Sequence, residues 1–184
     1  MIASVISEKS PRRAEVERFI QGVFAVRYNA CVAAFTPDIM VLEQHSKLRA
    51  AVGWRSAENG RLFLESYLDQ PAEVLISRLA GFPVARDKIV EAGHLAARKA
   101  GLGASMIMAL ARYLDAQGYE WVTFTATREL LSIFAKLGLP PLVLVVADPA
   151  RLGESARDWG SYYETRPTVV AGRIRSAIEK MDLR

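Results

Sequence analysis

The 184-residue sequence predicts an α/β fold of the α+β kind, a mixed central β-sheet flanked by helices, on three observations. Residues 88–139 run strand, glycine turn, amphipathic helix, strand, amphipathic helix, with short connections. A further apolar strand follows at 142–147, so the segment is a βαβ arrangement whose central strands should be parallel, with a right-handed crossover. Earlier, the runs 39–43 and 48–57 flank the polar turn Gln44-His45-Ser46-Lys47, the pattern of an antiparallel hairpin. With 51% hydrophobic and 24% charged residues, the chain fits one domain with a real core. That domain is taken to span 1–184, with 1–10 as a flexible N-terminus and 150–184 as a C-terminal extension packed on the core.

Each element has a local reason. Residues 11–28 place Val16, Phe19, Ile20, Val23 and Phe24 at helical spacing, with Ser10 as N-cap and Pro11 at the first helical position. Residues 71–79 read as a short helix ended by Gly81. Residues 104–117 carry Ile107, Leu110, Ala111 and Leu114 on one face and close at Gly118. The strand at 121–127 puts Val122, Phe124 and Ala126 on one side. A second helix, 129–137, repeats the stripe through Leu130, Ile133, Phe134 and Leu137. Beyond Asp148 the pattern is sparser: a turn or helix start at Asp158-Trp159-Gly160-Ser161-Tyr162-Tyr163, a strand at 168–171 and a closing helix at 174–181.

Composition narrows the function classes. One cysteine, Cys31, excludes an internal disulfide and favours a reducing compartment; its small apolar neighbours read as a buried, inert thiol. Charges at Glu8, Lys9, Arg12 and Arg13 leave no apolar export segment at the N-terminus, and 142–147 is far too short to span a membrane, so a cytoplasmic protein without integral membrane association is expected. The net charge of +4 fits either a solvated basic surface or an acidic partner such as a phosphate-bearing cofactor or an acidic carrier protein. No nucleic-acid-binding signature is present, and one cysteine with two separated histidines makes no metal cluster. A serine-hydrolase elbow is missing as well.

Two places carry chemistry. Arg98-Lys99-Ala100-Gly101-Leu102-Gly103 lies between an apolar strand and a helix, where glycines let backbone approach an anion and the helix aims free N–H groups at it. A plain strand–helix turn is the alternative. In Ile89-Val90-Glu91-Ala92-Gly93-His94-Leu95, Glu91 shares a regular strand face with Ile89, Gly93 and Leu95. Burial there would raise its pKa and suit a general base; a salt bridge to an arginine, or an edge position facing solvent, is the alternative. His94 falls on the opposite face unless a bulge near Gly93 re-aims it, and is a base, a substrate contact or a structural histidine. His45 sits in a polar turn.

The order of strand, R-x-x-G-x-G, helix and strand resembles motif A of the GNAT (N-acetyltransferase-like) superfamily. The resemblance implies a pantetheine carrier between the strands at 88–97 and 121–127, lined by Leu95, Ala97, Arg98, Gly101, Gly103, Thr125 and Phe134, with strand N–H groups near Leu95 polarising the thioester carbonyl. Val23-Phe24-Ala25-Val26-Arg27-Tyr28 and Glu91-Ala92-Gly93-His94-Leu95 are similar to motifs of acyl-homoserine-lactone synthases, in which the glutamate faces the amine. His94 stands where those synthases carry arginine, which puts S-adenosylmethionine in doubt as a co-substrate. More of the chain, about 19–174, resembles the thermostable hemolysins: Leu62-Phe63-Leu64-Glu65-Ser66-Tyr67-Leu68-Asp69, Ile89-Val90-Glu91 with Leu95-Ala96-Ala97, Thr123-Phe124-Thr125-Ala126-Thr127 and Asp158-Trp159-Gly160-Ser161-Tyr162-Tyr163 carry it. One departure is Phe134, which takes the place of the tyrosine that in many GNAT enzymes protonates the leaving thiolate; a phenyl ring has no proton to give, and Tyr162 or Tyr163 are the substitutes at hand.

These resemblances imply an N-acyltransferase. It would use an acyl-CoA or acyl-carrier-protein phosphopantetheine thioester as co-substrate, no metal, and a small amine or amino-acid-derived acceptor, with Glu91 and His94 as catalytic candidates. A membrane-active lytic protein and a catalytically silent carrier-binding module are the competing classes, and a homodimer through residues 162–174 is open.

Overall fold

The computed structural model describes residues 1–99 and 101–183. Ala100, inside the glycine turn, lies outside the described residues, as does Arg184. A seven-stranded mixed sheet forms the centre. Its strands are β1 (Ile2–Ser7), β2 (Asp38–Gln44), β3 (Lys47–Ser56), β4 (Ile89–Ala97), β5 (Trp121–Ala126), β6 (Leu142–Val146) and β7 (Thr168–Arg173), in the order β1-β2-β3-β4-β5-β7-β6. Five helices cover it: α1 (Arg13–Tyr28), α2 (Ala72–Ala80), α3 (Leu102–Ala116), α4 (Arg128–Lys136) and α5 (Ile174–Asp182).

Strand alternation sorts side chains to two faces. On one, α1 lays Val16, Phe19, Ile20 and Phe24 on Ile39, Val41, Ala51 and Ala96, while α2 packs Leu75 and Ile76 with Ile89, Trp121, Val169 and Ala171. On the other, Met106, Leu110 and Leu114 of α3, with Ile174 of α5, cover Met40, Val52, Trp54 and Val90; Phe134 of α4 covers Phe124, Ala126 and Val170. The apolar stripes predicted for α1, α3 and α4 are thus the faces turned to the sheet.

Several expectations need correction. The N-terminus is not a flexible tail in this structure: residues 2–7 pair antiparallel with β2 from Ile2↔Glu43 to Ser7↔Asp38. Four of the six residues of β1 are apolar (Ile2, Ala3, Val5, Ile6), yet only Ile6 is buried. Ser10 is not the N-cap of α1. Arg12 holds that position without a side-chain cap, and its guanidinium joins Glu15 and Glu43 instead. β4 and β5 are parallel as expected. The third strand of the βαβ run, β6, does not pair with β5, because β7 enters between them antiparallel to both. Residues 168–173 therefore lie inside the sheet, which removes much of the segment considered for a dimer contact. Among the described residues no helix is long and apolar enough to cross a membrane.

Candidate functional site

The site follows from where β4 and β5 part company. They pair from Ile89↔Trp121 to Ala92↔Phe124 and no further. One residue later β4 is bulged: Ala51 and Gly53 of β3 face Ala96 and Gly93, so Val52 stands against both His94 and Leu95. His94 takes the extra place with φ +54°, a left-handed conformation that costs a non-glycine residue about 1 kcal/mol or more. The bulge changes the phase of the strand. His94 turns to the α1 face, where Glu91 already lies, and Leu95 and Ala97 turn to the α3 face. Leu95 therefore does not share the face of Glu91, as regular alternation had implied.

The divergence opens a cleft of about 860 Å³ reaching both faces of the sheet. Every residue proposed from the sequence lines it: Glu91, His94, Leu95, Ala97, Arg98, Gly101, Gly103, Thr125 and Phe134. Their roles differ. On the α3 side, Gly101 (φ +86°) is the N-cap of α3, with no side-chain cap, and among the described residues, chain neighbours and the helix's own backbone aside, a Cβ added at Gly101 or Gly103 would meet no atom within 4 Å. Protein packing leaves that space free for an anion at the helix start. Arg98 is exposed, and its guanidinium lies 5.2 Å from the centre of the Phe19 ring rather than over the glycines. Phe134 is buried against Phe124 at 5.2 Å, a wall of the cleft.

On the α1 side the chemistry is polar but dry. Glu91 is 5% exposed. Its Oε2 accepts the Phe63 N–H and its Oε1 the Leu64 N–H, each at 2.9 Å, and Arg55 Nε lies 3.4 Å from Oε2. Desolvation holds its pKa above the ordinary carboxylate value, and the two amides and Arg55 pull it part of the way back. Both readings of Glu91 therefore meet in one group: a buried carboxylate with raised basicity, and an arginine partner. Glu65, one turn away, accepts the Leu62 and Ala72 N–H groups and pairs with Arg86, so buried carboxylates fix three consecutive amides of the 62–64 turn.

His94 is ringed by aromatics. Trp159 stacks on it at 6.0 Å and 7°, and Phe24 and Phe35 meet it at 6.1 and 5.5 Å. Nδ1 is buried and has no hydrogen-bond partner among the described residues. Desolvation, with Arg55 and Arg13 adding repulsion, pushes the imidazole down to about 4, so it is neutral near pH 7. Trp159 was legible only as part of a motif. Its placement comes from a clasp: Asp158 O accepts the Cys31 N–H at 2.6 Å, and Ser161 N donates to Tyr28 O at 2.8 Å. Cys31 itself is exposed, not buried as its neighbours implied. Tyr162 follows, its hydroxyl donating to Thr125 O at 3.3 Å on β5, and burial raises its pKa. Arg55 is the other residue missed; a lone arginine in a hairpin strand carries no signal in sequence. Among the described residues no group of three His, Cys, Asp or Glu is arranged to hold a metal ion.

These shifts set the acid stability. The unfolded His94 titrates near 6.5 and the folded one near 4, so between those values the unfolded chain binds the extra proton and stability falls as pH drops, by about 3 kcal/mol. Glu65, held down to about 2 with Arg86 and two amides, adds a second loss as pH falls from 4.5 toward 2. Glu91, raised, works the other way and relieves strain as it protonates. Urea midpoints measured from pH 7 to 3 should show the first loss above pH 4, and His94→Asn, which tolerates left-handed backbone, should remove that limb alone. An unchanged upper limb in the variant would place the titration elsewhere.

The model of the thermostable hemolysin family matches residues 6–178. The chain belongs to the thermostable hemolysin family. No curated protein sequence matches this hemolysin-family chain. Solved structures do match its fold. FeeM, an N-acyl amino acid synthase from uncultured soil microbes, superposes with a TM-score of 0.62 at 11% identity, over 98% of this chain and 99% of that one. The acyl-homoserine-lactone synthase LasI gives 0.63 at 15%, over 94% and 89%. BjaI, a CoA-dependent acyl-homoserine lactone synthase solved with SAM and isopentyl-CoA, gives 0.62 at 13%, over 98% and 88%. At such identities the likeness is one of fold: this hemolysin-family chain has the acyl-CoA N-acyltransferase (GNAT-like) fold.

Proposed function

We propose that the protein is an N-acyltransferase that moves an acyl group from acyl-CoA or an acyl carrier protein to a small amine. The observation that carries this reading is the cleft through the sheet at the β4–β5 divergence. An open, glycine-floored helix start lies on one side and a buried carboxylate with a neutral imidazole on the other. A pantetheine arm laid between Leu95 and Thr125 would bring its phosphates to the α3 N-terminus and its thioester to the bulge. What FeeM, LasI and BjaI are named for supports the same class.

The reaction forms a C–N bond and breaks a C–S bond. An ammonium must shed one proton before attack and a second as the amide forms. Glu91 takes the first, directly or through water, because desolvation makes it a better base than a free carboxylate. Tyr162, kept protonated by burial, gives its proton to the leaving thiolate and recovers the second from nitrogen, the role Phe134 cannot fill. His94, neutral and with Nδ1 unpartnered, offers an acceptor to the amine N–H. Such thioesters are cytoplasmic metabolites, so the reading carries a cytoplasmic location with it.

Native mass spectrometry of the protein with acetyl-CoA, a long-chain acyl-CoA and an acyl carrier protein tests this. One carrier should bind, and Gly103→Glu, which puts a carboxylate into the open cradle, should lower its affinity at least a hundredfold while the fold is kept. No binding by any of the three sinks the acyltransferase reading.

A further inference from the structure

Arg55 is not used by the acyl transfer described above, yet it faces the cleft. It sits directly across the β3–β4 ladder from Glu91. Its Nε is buried and donates no hydrogen bond, although it lies 3.4 Å from Glu91 Oε2, and the side chain keeps 29% of its surface open. A guanidinium has five N–H donors in a planar fork that fits a carboxylate. Among the described residues none of these is given to a hydrogen-bond acceptor. Arg55 is ion-paired with Glu91, but its buried Nε has no hydrogen-bond acceptor among the described residues, which is costly unless a ligand supplies one.

Glu91 has capacity left as well. Each oxygen accepts one amide N–H, and a carboxylate oxygen can accept two donors. The floor of the chamber is therefore an arginine and a carboxylate side by side. That is the charge complement of an ammonium and a carboxylate carried on one carbon. The walls above it are aromatic: Phe63 and Trp159 lie 5.8 Å apart, and Tyr162 is 5.5 Å from Trp159. Phe63 is 39% exposed, an apolar surface available to a guest.

We infer that the acceptor is a free α-amino acid with an apolar or aromatic side chain, its carboxylate held by the Arg55 guanidinium and its ammonium by Glu91. This rests on the acyltransferase reading for its chemistry, since the ammonium held by Glu91 is the nitrogen that would be acylated, but its recognition elements stand without a donor. An amine lacking the carboxylate leaves Arg55 without that acceptor, and an ester removes the charge that the fork is built to meet. Both should bind weakly.

Calorimetric titration with phenylalanine, phenylalanine methyl ester and phenethylamine, with and without saturating CoA, tests the assignment. The free amino acid should bind at least tenfold more tightly than the ester or the amine. Arg55→Gln should erase that difference while ester binding stays within about twofold, and Arg55→Lys should keep part of it. Thermal melting of each variant shows that the fold is intact. Equal binding of acid, ester and amine overturns the inference, as does a preference that survives Arg55→Gln, or no binding in either condition. CoA binding is read in the same cell. CoA bound without acid preference removes the acceptor class alone, whereas acid preference without any carrier binding removes the acyltransferase reading.

Discussion

Gly160→Ala is expected to destabilise the protein by about 3 kcal/mol or more, a fall in melting temperature of roughly 6–12 °C. Gly160 has φ +52° and ψ −127°, and a Cβ there would lie 2.0 Å from Tyr28 O and 2.6 Å from Asn29 O. Both obstacles are backbone at the end of α1, so no side chain can swing aside. Relief requires the clasp between Asp158, Cys31 and Tyr28 to open, which carries Trp159 off His94. Tryptophan fluorescence should shift with the melt. Gly22→Ala is the control: it lies in α1 with nothing within 4 Å of an added Cβ, and should be neutral or stabilising by up to about 1 kcal/mol. A Gly160→Ala protein melting within 2 °C of the parent would refute the clasp as a stability element.

Glu91→Gln should lower kcat by about 10²- to 10⁴-fold, the usual worth of a positioned general base, with little change in KM for the acyl donor. The pH profile distinguishes catalysis from scaffolding. In the parent, activity falls as pH drops through the raised pKa of Glu91, since the protonated form takes no proton; in the variant that acidic limb should vanish. A structural effect accompanies it. The carboxamide has one oxygen, so either Phe63 or Leu64 loses its acceptor, at about 1–3 kcal/mol. Melting and turnover must be read together. Should turnover stay within threefold while stability drops, Glu91 would be the clamp of the 62–64 turn and no more.

What the sequence made legible was local. The βαβ run, the glycine turn and the stripe on α1 are short-range patterns, and each predicts its own element within a few residues. The bulge was legible as a conditional, because Gly93 beside His94 allows one. Pairings across long separations were not. β7 slips between β5 and β6 because Val169, Val170 and Ala171 find cover on both faces of the sheet, and no spacing near residue 168 announces it. β1 was missed because six residues at the chain start carry no turn or partner signal of their own, and the strand that pairs with them lies more than thirty residues on. The pairing of Glu91 with the amides of Phe63 and Leu64 joins residues 27 and 28 positions apart, and the Trp159–His94 stack joins two others brought together only by the fold. The residues named from the sequence as catalytic and cofactor-binding all border the cleft, and their partners were supplied by tertiary structure.

The phase change in β4 divides one strand into two parts under different constraints. Upstream of His94, side chains are tied into the protein's own stability, since Glu91 fastens the turn that follows β3. Downstream, Leu95 and Ala97 border open space. Substitutions at Leu95 or Ala97 therefore change the size and shape of what the cleft admits while leaving the Glu91 clamp on the 62–64 turn in place.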